Sequence, residues 1–203
     1  ADGAEGDDFR TVGGDYYKPT DADYEANCDE ARQLLADAGY PNGEGFPVVE
    51  YLYNTSDAHK AVAEALQFMW EEELGVKVTL NNQEWAAFLQ TRKDGDYSIA
   101  RNGWIADYND PISFLDMWMT GGGNNDAQYA NDDYDALIKQ AKTTTDNAER
   151  MDLLHQAEDK LIGEDNVLAP LYFYTQKYML ADGIEGMYYC PLGYFFFGYT
   201  HQA

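Results

Sequence analysis

The sequence predicts an α/β fold. Runs rich in β-formers at 48–54, 76–80 and 97–104 alternate with segments whose apolar residues recur at helical spacing, and glycines close several of those segments.

In chain order, residues 1–20 are rich in Gly and Asp with few apolar groups and read as a linker or entry segment. A helix follows, capped by Asp21 or Asp23, with Cys28, Ala31, Leu34, Leu35 and Ala38 at helical spacing and Gly39 in the C′ position. PNGEGFP (41–47) is turn chemistry, and VVEYLYN (48–54) is a strand. A second helix starts at Thr55 or Ser56, carries a stripe of Val62, Leu66, Met69, Trp70 and Leu74, and ends at Gly75. The strand VKVTL (76–80), the short helix EWAAFLQTR (84–92) and the strand YSIARNGW (97–104) complete the alternation. PISFLDMW (111–118) is expected as a short helix with Pro111 in its first turn. TGGGNND (120–126) is expected at the surface, and helices over 131–143 and 146–163 follow, the second with a stripe of Met151, Leu154, Ala157 and Leu161. NVLAPLYFYTQKYMLA (166–181) reads as a strand broken at Pro170. The end, 186–200, holds seven aromatic rings and needs a covering surface or an interface.

The chain has 203 residues and carries 37 Asp+Glu against 13 Lys+Arg, a net charge of -24. That balance argues against nucleic acid and against an anionic membrane surface. With 45% hydrophobic residues a core can still be built. The start, ADGAEGDDF, has no basic or apolar leader pattern, which points to a cytosolic protein or to a piece of a processed or longer one. Cys28 and Cys190 fit no metal spacing and are expected as two separate small hydrophobes, with a disulfide between them as the alternative that geometry decides.

Enzyme signals are weak. No GxSxG, HExxH, Walker A or GxGxxG occurs, and His59, His155 and His201 are not paired at metal-ligand spacing. Neither a cofactor nor a metal is expected: an EF-hand counted from Asp107 or Asn124 places Ile112 or Tyr129 where Gly is required, which leaves helix capping as the role of the Asp and Asn clusters. Ser56 and Ser113 suit helix starts. The octapeptide GWIADYND (103–110) leaves three roles open for Asp107: a loop cap, a catalytic acid or base paired with Asp110, or a docking point for a ligand's positive charge. Arg101, inside a strand-like run, requires a partner, either an internal acid such as Glu84 or Asp94 or a ligand carboxylate suited to its planar fork. With Arg92 and Asp107 it makes a zone of both charge signs that suits a zwitterion. Trp85 and Trp104 are core residues or flat walls for a ligand, and His59 faces solvent on its helix or the ligand.

YNTSDAHK (53–60), NQEWAAFLQTR (82–92), GDYSIARNGWIADYNDP (95–111) and GGNNDAQY (122–129), in that order, resemble the second half of the oligopeptide-binding proteins, the extracellular solute-binding components of peptide ABC transporters. The resemblance extends over about residues 16–200. It implies one lobe of a two-lobed periplasmic-binding-protein-like fold, a mixed sheet flanked by helices. The lobe would occupy 21–183, and 184–203 would return toward the other lobe. It implies a non-enzymatic peptide binder at the cell surface or in the periplasm, with short peptides, permease subunits and the other lobe as partners. Relatives of that fold take other solutes, such as dipeptides, nickel complexes or oligosaccharides, and a glycoside-acting enzyme is the rival of another class. Carried over by motif, Asp107 holds the peptide's α-ammonium and is expected buried beside Trp104. Gly103 and Ile105 offer main chain to the peptide. Arg92 and Arg101 line the pocket, His59 lies near the carboxylate end, Trp85 and Trp104 form walls, and Asn54 is a polar pocket group. Asn102 departs from the small residue that relatives often carry, which leaves peptide length open.

Overall fold

The computed structural model describes residues 23–190 and 192–203, so the 1–20 segment and Asp21 lie outside the described residues. The chain divides into two units. A sheet unit runs to Gly103 and takes in Gly123–Gln128, and a helical unit comprises Trp104–Gly122 and the chain from Tyr129 to Ala203. The division falls inside the stretch 21–183 that the resemblance groups as one lobe.

The sheet unit begins with α1, Tyr24–Asp37. Gly39 ends it at φ +96, with its N–H on the Ala36 carbonyl (2.9 Å) and that of Tyr40 on Leu35 (3.0 Å), the paired closure that a left-handed residue permits. Then come β1 (Val49–Asn54), α2 (Asp57–Leu74), β2 (Val78–Gln83), α3 (Trp85–Asp94) and β3 (Ile99–Ala100). The strands form a parallel sheet in the order β2-β1-β3. β2 starts two residues later than its composition suggests, because Val49 pairs with Val78 and Asn54 with Gln83. Of the strand expected over 97–104 only Ile99 and Ala100 form a ladder. The Arg101 amide still reaches Leu52 (2.8 Å), but the Arg101 carbonyl accepts from the Arg92 guanidinium (3.4 Å), so pairing stops there.

Tyr51, Tyr53 and Val78 alternate onto one face of this sheet and, with Val76 just before β2, pack with Ala63, Leu66, Trp70 and Leu74 of α2 and with Leu35 of α1. Arg32 of α1 ties the two helices, its Nε donating to the Glu73 carbonyl (2.9 Å) and its guanidinium pairing with the Glu73 carboxylate. Gly75, which ends α2 at φ +67, faces Asn42 so closely that an added Cβ would meet the Asn42 carbonyl. Gly75→Ala should therefore cost about 2 kcal/mol, combining a left-handed alanine with a backbone collision. A denaturation midpoint equal to that of the unaltered chain would disprove this.

The helical unit holds α4 (Ile112–Leu115), a 3-10 turn at Asp116–Trp118, α5 (Asp132–Thr143) and α6 (Asn147–Glu158), which continues as a π turn over Asp159–Glu164. Asn131 Oδ1 caps α5 by accepting from the amides of Asp133 (3.0 Å) and Tyr134 (3.1 Å), and Asp146 caps α6 in the same way. The core joins Ile112, Leu115 and Trp118 to Tyr134 and Ile138 of α5 and to Leu154, Ala157 and Leu161 on the expected stripe. Tyr134, fully buried, donates its hydroxyl to the Leu115 carbonyl (2.6 Å).

Residues 166–181 form no strand. Their β-forming composition meets no ladder partner among the described residues, and Leu171, Tyr172, Phe173 and Tyr174 stay exposed. Two short antiparallel pairs follow, β4 (Ile184–Glu185) with β7 (His201–Gln202) and β5 (Tyr188–Cys190) with β6 (Tyr194–Phe196). In the hairpin, Tyr189 and Phe195 pack on each other (5.0 Å) and each contacts Tyr178, whereas Tyr188, Tyr194, Phe196, Phe197 and Tyr199 remain exposed. Both cysteines are free thiols.

Candidate functional site

In a parallel sheet of order β2-β1-β3 the chain leaves β1 toward one neighbour and later crosses to the other side. The carboxyl end of β1 is then the switch point where α/β folds bind ligands. Asn54 is the last residue of β1. Its Oδ1 accepts from Arg101 Nη1 (3.4 Å), just past β3, and its carbonyl contacts His59 Nδ1 (3.3 Å), in the first turn of α2. Three of the residues singled out from sequence thus converge at one edge of the sheet. Burial, and then the Arg101 cation, push the His59 pKa below its usual value, so its ring is neutral near pH 7.

Trp85 opens α3, stacks on Phe88 (5.8 Å between ring centres) and is 53% exposed, which fits a wall better than a core. Gly103 is exposed, and its amide is taken by Asn102 Oδ1 (2.8 Å). A Cβ there would lie 2.7 Å from Arg101 Nη2, so the glycine lets the guanidinium lie over the main chain. Arg92 is engaged within its unit. Its Nε meets Asp126 Oδ2 at 2.7 Å, with 13% and 14% of the two side chains exposed. Asp126 is thus the acid paired with Arg92, while Glu84 accepts from Thr55 and Asp94 from Gln90. Asp126 comes from the 120–126 loop expected wholly at the surface, in which Asn125 is buried. Short-range spacing gave no signal for this pair, whose members are 34 residues apart.

The helical unit carries Trp104, Ile105 and Asp107. Trp104 packs against the unit's core, and its indole N–H is buried without an acceptor among the described residues. Ile105 is 71% exposed. Asp107, expected buried beside Trp104, is exposed. Its amide donates to Ser113 Oγ (3.0 Å), while its carboxylate has no hydrogen-bond or ion-pair partner among the described residues. The loop cap is its neighbour: Asp110 Oδ1 accepts from the Ile112 amide (2.9 Å) and from Arg150 Nη2 (2.8 Å). Asp110 is thereby tied to the start of α4 and to Arg150 of α6. From 102 to 106 the main chain makes no backbone–backbone hydrogen bond among the described residues.

The model of the bacterial extracellular solute-binding proteins, family 5 (middle region), matches residues 3–126, more than half of the chain. The chain belongs to this family. It is 39% identical over 191 residues to the dipeptide-binding protein DppE of Bacillus subtilis, a match covering 94% of this chain and 34% of that protein. It is 39% identical over 158 residues to the periplasmic oligopeptide-binding protein OppA of Salmonella typhimurium, covering 78% and 29%. Among solved structures, the murein tripeptide binding protein MppA of Escherichia coli superposes with a TM-score of 0.73 at 33% identity, over 80% of this chain and 31% of that one. The chain spans about a third of the length of these family 5 relatives. The α/β class of the family is the class seen here.

The fold is expected to lose stability at acid pH. Burial also lowers the pKa of His155, with Asp159 and Asp152 acting in the opposite direction. A histidine held neutral in the fold binds fewer protons than it does unfolded once the pH drops below the usual 6.5. Stability is therefore full above that value and is lost as the pH falls through it. The urea midpoint should drop between about pH 7.5 and about pH 5.5, and the drop should shrink in His155→Gln. Identical slopes for variant and parent would rule this out.

Proposed function

We propose that this chain supplies a ligand-binding lobe to the solute-binding component of a peptide ABC importer, which captures short peptides and delivers them to membrane permease subunits without catalysis. One observation carries the reading. Asp107 presents an exposed carboxylate with no partner among the described residues, beside main chain that makes no backbone–backbone bonds, while nearby Asp110 is paired. An unpaired anion beside main chain free of backbone–backbone bonds suits an ammonium-bearing peptide that adds itself as a strand. The names of relatives, dipeptide- and oligopeptide-binding proteins, support the same solute class.

Within this reading Asp107 takes the α-ammonium, and Gly103 and Ile105 offer main chain. Arg101 and His59 attend the carboxylate end with Asn54 as a polar neighbour, and Trp85 is a flat wall. Main-chain recognition with water-filled side-chain spaces tolerates varied residues. The protein would act outside the cytoplasmic membrane, as a periplasmic protein or a surface lipoprotein, with a second lobe closing on the ligand. Calorimetry on the complete protein carrying this lobe tests the proposal, using trialanine, a dipeptide, an oligosaccharide and a nickel complex as probes. Heat of binding with the peptides is expected, and binding of only the sugar or the nickel complex would refute it.

A further inference from the structure

We infer that Arg92 is a positioning residue and not a ligand contact: clamped by Asp126, it sets the main chain at Arg101–Gly103 through Asn102. This rests on the peptide-binding reading only insofar as the ligand lies along that main chain. Arg92 directs its Nε and Nη1 donors inward. Nε goes to Asp126 Oδ2 (2.7 Å), and Nη1 goes to Asn102 Oδ1 (3.0 Å) and to the Arg101 carbonyl (3.4 Å). The Phe88 ring lies 5.1 Å from the guanidinium carbon and holds its plane. Asp126 is itself fixed, because the Tyr97 hydroxyl donates to its carbonyl (2.8 Å). With the counter-ion in contact and both side chains largely withdrawn from solvent, little of the Arg92 charge is left to attract a ligand carboxylate.

What Arg92 reaches is more telling than what it lacks. The oxygen of Asn102 that accepts from Arg92 also accepts from the Gly103 amide (2.8 Å). One atom therefore couples the clamped guanidinium to the first residue of the stretch proposed to meet the peptide. A small residue at 102 could not make this link. Asn102 thus determines how Gly103 is presented, and the Asp126–Arg92–Asn102 chain acts on binding through the backbone.

The test uses Arg92→Lys, which keeps the charge and loses the fork, with Asp126→Asn and Asn102→Ala. In the 203-residue chain, amide exchange followed by NMR should accelerate at Gly103 by about tenfold in all three variants, with β1 amides unchanged. Unchanged exchange at Gly103, or equal acceleration in β1, would overturn the inference. In the complete protein, calorimetry with trialanine and with its C-terminal amide should show both dissociation constants rising about tenfold, leaving their ratio as in the parent. A ratio that collapses in Arg92→Lys, or trialanine binding that tightens in Asp126→Asn, would mean that Arg92 meets the carboxylate and the inference fails. If the parent gives no heat with either probe, the peptide reading is overturned, and the exchange result still decides the role of Arg92.

Discussion

Phe88→Ala should lower the unfolding free energy by about 3–5 kcal/mol. Phe88 has no exposed surface, and it stands between the Trp85 indole at 5.8 Å and the Arg92 guanidinium at 5.1 Å. Truncation removes the transfer free energy of the ring and leaves a cavity under a side chain that is already tied at both ends. Arg92 cannot follow the collapse without giving up Asp126 or Asn102. The cost therefore belongs to the upper part of the usual range. Phe88→Leu, which keeps most of the volume, should lose clearly less, about 1.5 kcal/mol. Urea denaturation of both variants decides the matter. A loss below about 1 kcal/mol for the alanine variant would show that the site collapses freely and that the ring does not support the clamp.

In the complete protein, Asp107→Asn should weaken binding of a free-amine peptide by about 2–3 kcal/mol, or about 30- to 150-fold. The substitution keeps the size and polarity of the side chain and removes only the charge. It exchanges a charge-assisted hydrogen bond for a neutral one and leaves the ammonium without a counter-ion. The isolated Asp107 carboxylate is open to solvent, so its fold stability should hardly change, which separates the binding effect from any structural one. N-acetylating the peptide should cost a similar amount against the parent, and the two losses should not add, since both break one interaction. Equal affinities of parent and variant for the same peptide would leave Asp107 as an ordinary surface carboxylate.

The signals that depend on a few neighbouring residues were legible in the sequence. Gly39 and Gly75 end helices in the left-handed conformation, and capping by the Asp and Asn clusters is made by Asn131 with its own side chain. The stripe of Leu154, Ala157 and Leu161 is buried as its spacing predicts. Each of these outcomes is set within one or two helical turns, where the partner of every group is fixed by chain geometry. The motifs that carry the family resemblance are likewise strings of neighbours.

Other features were decided by the fold. A strand exists only where another backbone lies alongside, and β composition at 97–104 and 166–181 says nothing about that. β3 accordingly shrinks to two residues, and 166–181 forms no ladder. Among 37 acidic residues, sequence spacing gave no sign that a loop residue, Asp126, makes the pair with Arg92. The same holds for Asp107 and Asp110. Both stand in one loop, yet only Asp110 meets an arginine, brought by α6 from 40 positions away. The sequence by itself determined the helices, their ends and the family. Only the tertiary structure decided which charges are neutralised and which stay unpaired, because ion pairing follows distances in space that sequence separation does not encode.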